Sequence, residues 1–554
     1  MPCNTSVTDI APSPVNLNVL SKLLFQYNKS EADFLLGGFT HGFNLHYQGP
    51  RQERMAKNLK SAASNPMVVQ QKINKEITAG RVAGPFACRP LQNFVVSPIG
   101  LVPKKAPNEF RMIHHLSYPT GLSINDFIDP NLTSVNYTKF DKAVEMVQEL
   151  GQGCQLFKMD IKNAFKLIPI RPQDFPLLCF YFRDSFYFDK TLPFGCSISP
   201  STFERFTTFL EHCVKSHLSS GLLIHYLDDF LGGDKTKSSC IQLMRIFESI
   251  MHQLNVPMAP DKTEGPSEVL VFLGLELDSN EMVVRIPVDK IKEVIAKIQA
   301  IVGKDKAKVK EIQSLIGSLN FCCRAIVAGR PFCRRLINSI CGLTKPFHYV
   351  RIKKSVRLDL SMWLWFFERF NGVSVFHDRF WLSNDDAEFY SDSAGGQGLG
   401  FGIFCKGQWL AAEWPDNWHH ECITKEITVL EMFPILVAIC IWGASLRNKR
   451  ILFHCDNAAV VQILNTLTSK SDRVMDIVRI ITLKSLQYNV LIRAQHVAGA
   501  NNEICDALSR FQMERFRRLA PEADPEPRAL PVHLWNVFGA EPSTFCDMPL
   551  PQTL

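Results

Sequence analysis

Acidic residues stand at the ends of short apolar runs in two neighbouring places, MDIKNAF at 159–165 and HYLDDFLGG at 225–233. Their flanks, CQLFKMD and LLIHYLDDFLGGD, read as short strands, the last two meeting in an acidic turn. Asp-Asp is ordinary turn chemistry, so the signal lies in order and spacing: Asp160, then LPFG at 192–195, then YLDD, then FLGLELD at 272–278. Hard divalent cations want oxygen ligands, and Asp160 at one strand end would converge with Asp228 and Asp229 in the turn. A second acidic set follows: Asp392 ending EFYSDSA, Glu431 in ITVLEMFPILVAICIWGASL, Asp456 ending ILFHCD, and Asp506 in HVAGANNEICDALSR. One acid alone says little. Four of them in order, on strand, helix, strand and last helix, predict a second carboxylate cluster for phosphodiester chemistry.

Two such clusters need more than one core, and 554 residues predict about three or four units. The composition is globular, 46% hydrophobic and 21% charged, and the net charge of +7 fits a polyanionic partner without singling one out. The 17 cysteines include no CxxC and no C-x2-C-x4-H-x4-C knuckle. His419, His420 and Cys422 lie close together, but nothing downstream completes a zinc site. Free buried thiols in a reducing compartment are expected. MPCNTSVTDIAPSP carries no basic-then-apolar signal, and no uncharged run approaches the ~20 residues that span a membrane. The expectation is a cytoplasmic or nuclear protein, not secreted and without a membrane partner.

Composition shifts divide the chain. Residues 1–85 carry helical patterns and predict a helical N-terminal extension. Residues 86–285 read mainly as strands and turns, with one helix, SPSTFERFTTFLEHCVKSHL, capped by Ser199 with Pro200 in its first turn. Gly232 and Gly233 are expected to help end the strand after the acidic turn. Residues 286–384 are helical and basic, with Val288, Ile291, Val294, Ile295, Ile298 and Ile301 in one stripe. Residues 385–512 alternate strands with helices, and 513–554, rich in Pro and Glu, predict little core. The fold class is multidomain α+β.

From Asp160 to FLGLELD these blocks resemble the reverse transcriptase of retrotransposons, over about residues 86–280. The strings GPF, SPIGLVPKK, FRMIHHLSYP, GPSEVLVFLGLELD and SLIGSLNFCCRAIVAGRPFCRRL are similar to the DIRS/Ngaro group, whose elements pair this enzyme with a tyrosine recombinase. The resemblance implies a right-hand polymerase, with fingers and palm over 86–285 and a thumb or connection over 286–384. It makes Asp160 and Asp228 metal ligands, with Asp229 beside them, for two Mg2+ per site or Mn2+ in their place. Lys104, Lys105 and Arg111 match the basic residues that grip the incoming triphosphate, a guanidinium offering a fork and an ammonium a point charge. Phe165 matches the aromatic that blocks a 2'-hydroxyl, Phe194 and Gly195 the turn under the template and nascent pair. Lys262 matches a lysine near the leaving phosphate, and FLGLELD the hairpin that holds the primer end.

HVAGANNEICDALSR resembles the closing motif of retroelement ribonuclease H. That likeness implies an α/β ribonuclease H-like domain over 385–512, with Asp392, Glu431, Asp456 and Asp506 as metal ligands and His496 as the mobile histidine of turnover. Glu426 lies near Glu431, but the LEMFPI context favours the latter. SDSAGG at 391–396 has Ala394 where an aspartic-protease turn needs glycine. The implied activity is RNA-directed DNA synthesis with hydrolysis of the RNA strand of the hybrid. The implied partners are an RNA template, a DNA primer, the RNA/DNA hybrid, dNTPs and a tyrosine recombinase of the same element. The alternative is a catalytically inactive nucleic-acid-binding descendant with the same fold.

Overall fold

The computed structural model describes residues 9–104, 109–371, 382–383, 389–447, 449–455, 457–496 and 502–540, in two compact units, Met1–Leu270 and Val271–Leu554. The division falls before FLGLELD.

The first unit holds a four-stranded antiparallel sheet in the order Glu264–Ser267, Gln155–Asp160, Asp229–Asp234, Leu222–Tyr226. Gln155–Asp160 is apolar on both faces, with Leu156, Phe157 and Met159 all buried. Helices Phe140–Leu150 and Lys237–Leu254 pack on the sheet and account for this doubly buried pattern. Gly232 and Gly233 lie inside the strand Asp229–Asp234 and do not end it. A Cβ at Gly232 would come within 2.3 Å of the Phe157 ring, and one at Gly233 within 2.8 Å of the Gln155 carbonyl oxygen. These glycines serve close strand packing.

Helix Ser199–Lys215 also departs from expectation. Ile198 is its N-cap, and Ser199 Oγ instead donates to the carbonyl of Pro193 (3.0 Å), tying the helix start to LPFG. Ahead of the sheet, Ile99–Pro103 and Phe110–His114 form a hairpin. The N-terminal helices Leu17–Leu23 and Lys29–His41 bury Leu20, Leu35 and Phe39 in the same core as Phe157, Phe203 and Phe206. Arg205 grips Glu31 through two nitrogens (2.7 and 3.0 Å).

In the second unit, helix Val288–Val302 buries Val294, Ile298 and Ile301 but exposes Val288, so the apolar stripe engages after its first turn. Phe389–Ser393, Gly400–Cys405 and Gln408–Glu413 form an antiparallel sheet, while Arg450–Cys455 and Leu491–His496 pair in parallel. Helix Ile427–Trp442 is buried nearly all round. The segment after residue 512 has more core than its composition predicts. Leu534 and Val537 are fully buried, and Trp535 stacks on Phe433 (5.1 Å between centroids) and meets Trp418 edge-on (5.3 Å). A few large aromatics outweigh the Pro and Glu around them. The described cysteines are free and mostly buried, and no helix among the described residues is long and apolar enough to cross a membrane.

Candidate active site

Register brings the first acidic set together. Asp229 pairs directly with Asp160 across neighbouring antiparallel strands, which places their side chains on one face. Tyr226 pairs with Asp229, leaving Leu227 and Asp228 as a two-residue hairpin loop. Leu227 has φ +54°, the left-handed conformation such a loop requires and one that costs a residue with a Cβ on the order of 1 kcal/mol. The Asp228 carbonyl accepts from the Ile161 amide (3.0 Å), pinning the loop beside Asp160.

Lys262 completes the group. Its Nζ donates to Asp160 Oδ2 (2.8 Å), and the turn leading to it is fixed by the Ala259 amide donating to the Asp160 carbonyl (2.9 Å). Asp160 is buried, whereas Lys262 is about half exposed. Asp228 and Asp229 both sit above the usual carboxylate range. Burial is the first cause for each; the Asp160 charge adds to it at Asp228. At Asp229 a hydrogen bond to Asp160 and the charges of Asp228 and Asp160 push the carboxyl up to about 7. Burial would lower the Lys262 ammonium, but Asp160, Asp228 and Asp229 outweigh it and raise the group.

A row of flat groups adjoins the carboxylates. The Arg111 guanidinium lies 4.8 Å from the Phe194 ring centroid, a cation–π contact. Phe194 and Phe165 are 5.2 Å apart, and Phe165 also meets Phe203 at 5.5 Å. The Arg111 charge reaches Asp228 and opposes the rise of its carboxyl. Gly195 has φ +120°, and a Cβ there would stand 2.0 Å from the His114 carbonyl oxygen, so only glycine fits. Lys104 pairs with Glu109 (2.9 Å), and Lys105 lies outside the described residues.

Three supports carried no sequence signal. Asn125 Nδ2 donates to the Gly195 carbonyl (2.9 Å) while its Oδ1 accepts from the Ser197 amide (2.9 Å), clamping the LPFG turn from both sides. The His114 amide donates to the Phe194 carbonyl (2.9 Å). Its buried ring meets Asp189 Oδ2 (3.1 Å), and Lys166 donates to the other Asp189 oxygen (2.7 Å). Burial would raise that carboxyl, but Lys166 and His114 hold it low. Behind the acidic hairpin, buried His225 pairs through Nδ1 with Glu211 and through Nε2 with Glu204 (3.3 Å). Burial would lower its imidazole; the two glutamates override this and raise it to about 9.

The second acidic set is arranged differently. Ser509 Oγ donates to Asp392 Oδ2 (2.8 Å), tying the end of helix Glu503–Ser509 to the strand Phe389–Ser393. Asn502 Nδ2 donates to the Ser391 carbonyl (2.8 Å). Both Asp506 oxygens accept from arginines, Arg510 (2.7 Å) and Arg515 (2.6 Å). Burial would raise the Asp506 carboxyl, but the two guanidiniums hold it below the usual range. Glu431 follows Leu430, whose carbonyl accepts from Ser393 Oγ (2.8 Å), next to Asp392 in sequence. Glu426 is engaged elsewhere, with Arg473. His496 pairs in register with Cys455, the neighbour of Asp456, which itself lies outside the described residues. Arg510 was legible at the i+4 spacing from Asp506; Ser509 and Arg515 were not.

Among the described residues no three His, Cys, Asp or Glu side chains enclose a metal by themselves. The Asp160, Asp228 and Asp229 group nonetheless fits Mg2+, which commonly binds one or two carboxylates and fills its octahedron with waters and substrate phosphates. Two of these carboxyls are raised, by burial first and then by their neighbouring acids, and Lys262 opposes the rise.

Residues 102–277 match the family model described as reverse transcriptase (RNA-dependent DNA polymerase). The Transposon Tf2-3 and Tf2-7 polyproteins of Schizosaccharomyces pombe are each 25% identical to the chain over 297 residues, 53% of this chain and 19% of theirs. The chain thus spans about a fifth of the length of the curated relatives it matches. Two solved structures of foamy viral protease-reverse transcriptase are also similar. The complex with dsDNA has a TM-score of 0.48 at 14% identity, covering 89% of this chain and 99% of that one. The complex with RNA/DNA hybrid has a TM-score of 0.47 at 15% identity, covering 96% and 67%. With its carboxylates gathered inside residues 102–277, the chain contains a reverse transcriptase domain and has homologues among retrotransposon polyproteins.

Proposed function

We propose that the chain is an RNA-directed DNA polymerase with ribonuclease H activity, a product of a DIRS/Ngaro-type retrotransposon acting in the cytoplasm or nucleus. The observation that carries the polymerase reading is the direct pairing of Asp160 with Asp229, beside Asp228 and under Lys262. Asp160 and Asp228 would hold two Mg2+, or Mn2+, and Asp229 stands next to them. When bound, the ions activate the primer hydroxyl and neutralise the leaving phosphate.

The chain's own groups do the rest. Arg111, held over the Phe194 ring, offers a fork to the triphosphate of a dNTP. Lys104 adds charge on the same hairpin once released from Glu109, and Lys105, next in sequence, is proposed to join it. Phe165, braced by Phe194 and Phe203, provides a rigid wall where a 2'-hydroxyl would have to fit. Gly195 lets the backbone pass close to the template and nascent pair. Lys262 is within reach of a leaving phosphate once it exchanges Asp160 for that group.

In the C-terminal half the proposed ligands are Asp392, Glu431, Asp456 and Asp506, with His496 aiding turnover. Asp506 fits an ion only after Arg510 and Arg515 let go, which an incoming phosphate backbone would favour. A tyrosine recombinase of the same element is the proposed protein partner.

Primer extension on poly(rA)/oligo(dT) with Mg2+ tests the reading. dTTP is incorporated and UTP is not, Asp228→Asn abolishes extension, and Phe165→Ala relaxes the choice of sugar. Asp392→Asn removes hybrid cleavage and spares extension. Hybrid binding without synthesis or cleavage in either metal would instead establish the inactive descendant.

A further inference from the structure

Just ahead of helix Val309–Cys322 the strand Lys306–Lys308 pairs antiparallel with Tyr349–Arg351. Lys306 lies opposite Arg351 and Lys308 opposite Tyr349, so alternation puts these four side chains on one face. Ala307 turns to the other face and is fully buried, which fixes the ribbon's orientation. The outer face therefore carries three cations, one aromatic ring and no acid. Tyr349 is 63% exposed, and Phe347, two residues earlier, is 64% exposed. Lys308 Nζ lies 5.8 Å from the Tyr349 ring centroid.

The nearby acids are already engaged. Asp305 faces Arg357 (3.7 Å), and Glu311 accepts from Lys304 Nζ (2.7 Å) and from the Lys308 amide (2.8 Å). Among the described residues no carboxylate pairs with Lys306, Lys308, Lys345 or Arg351. A ribbon that only needed to stay soluble would gain nothing from two large rings left in water beside a cluster of cations.

We propose that this ribbon is a binding surface for single-stranded nucleic acid, its cations holding phosphates while Tyr349 and Phe347 stack on bases. Charge complementarity selects a polyanion. The exposed rings select one whose bases are unstacked, because a duplex hides its base faces inside the helix. The ribbon belongs to the second unit and shares no residue with the carboxylate site.

The test uses the full chain and fluorescence anisotropy with two labelled probes, oligo(dT) and a blunt hairpin duplex, over a salt series. Replacing Lys306, Lys308 and Arg351 together by Ala weakens oligo(dT) binding by about 10-fold or more. It also lowers the log–log salt slope by about two, as expected for three lost phosphate contacts on a single strand. Phe347→Ala with Tyr349→Ala weakens oligo(dT) on the order of 10-fold with the salt slope unchanged, because stacking releases no counterions. Tyr349→Trp restores binding. All the replaced side chains are exposed, so unfolding midpoints stay at the wild-type value, and blunt-duplex affinity stays within about 2-fold. Unchanged oligo(dT) affinity and slope would show a merely solvated face and overturn the proposal. Equal losses on oligo(dT) and duplex would make the ribbon a duplex-backbone contact and overturn it too. Primer extension at saturating primer–template reads the polymerase proposal separately, since nucleotide addition there rests on Asp160 and Asp228.

Discussion

The two acidic sets of this chain meet their charge in opposite ways. In the first unit, strand register forces Asp160, Asp228 and Asp229 together with Lys262 as the close counter-charge, and two of the carboxyls are raised. In the second unit, Asp506 carries a guanidinium on each oxygen and is lowered, and Asp392 meets the Ser509 hydroxyl. Crowded carboxylates with too little positive charge are costly unless something external neutralises them. A carboxylate closed by two arginines is satisfied as it stands. On the proposed reading the first arrangement takes a cation as it stands, and the second has to be opened first.

Separating the two sets by mutation is the sharpest way to break this contrast. Asp228→Asn should lower primer extension by on the order of 10³-fold or more, the scale of losing a preorganised charge contact in a transition state. Asp506→Asn should leave extension within about 2-fold, because it changes a carboxylate already neutralised in the other unit. Equal losses in both, with both proteins folded, would mean that the sets do not act independently.

The supports behind the first set give the next largest effects. His225→Gln leaves partly buried Glu204 without its cation and Glu211 with Lys215 alone, and should cost about 2 kcal/mol at neutral pH, read by urea unfolding. The imidazole is raised in the folded state, so its contribution is complete below the unfolded value of about 6.5 and is lost as pH rises through about 9. Wild type should lose stability across that window, and His225→Gln should not. Gly195→Ala forces a Cβ against the His114 carbonyl in a conformation restricted to glycine, and should cost about 2–3 kcal/mol by the same assay.

What the sequence made legible follows from which forces are local. Strand Gln155–Asp160, the acidic hairpin and the strand–helix series after residue 389 were readable because alternation, turn chemistry and apolar runs are written in consecutive residues. The convergence of Asp160 with Asp228 was inferable from order, but its support was not: Asn125, His114 with Asp189, and His225 with its glutamates join residues far apart in sequence. Gly232 and Gly233 misled because a glycine pair in a turn and one under a Phe ring look the same in one dimension. Ser199 misled similarly, its hydroxyl going to Pro193 and not to its own helix. The Pro/Glu-rich tail misled because Leu534, Trp535 and Val537 bury more surface than the average composition suggests.

The smallest expected effect refines the comparison most, because the two sets should answer pH with different signs. In metal-free protein, Asp229 keeps its proton in the folded state up to about 7, whereas the unfolded chain releases it near 4. Between those values the folded state binds more protons, so stability should fall as pH rises, and Asp229→Asn should flatten that slope. Asp506 is depressed, so its contribution is present above about 4 and lost as pH falls through its lower folded value; Asp506→Asn should remove that acid-side loss. Partial exposure screens both effects and keeps them small. They can be read apart because all eight tryptophans lie beyond residue 270, so selectively excited tryptophan fluorescence reports on the second unit. Hydrogen exchange of the amides in Gln155–Asp160 follows the first. Saturating Mg2+ should abolish the Asp229 slope by displacing its proton, and should leave the Asp506 response unchanged while both arginines remain in place. An Asp506 response that also vanished in Mg2+ would mean that the ion, not the guanidiniums, governs that carboxylate, and the contrast between the two sites would collapse.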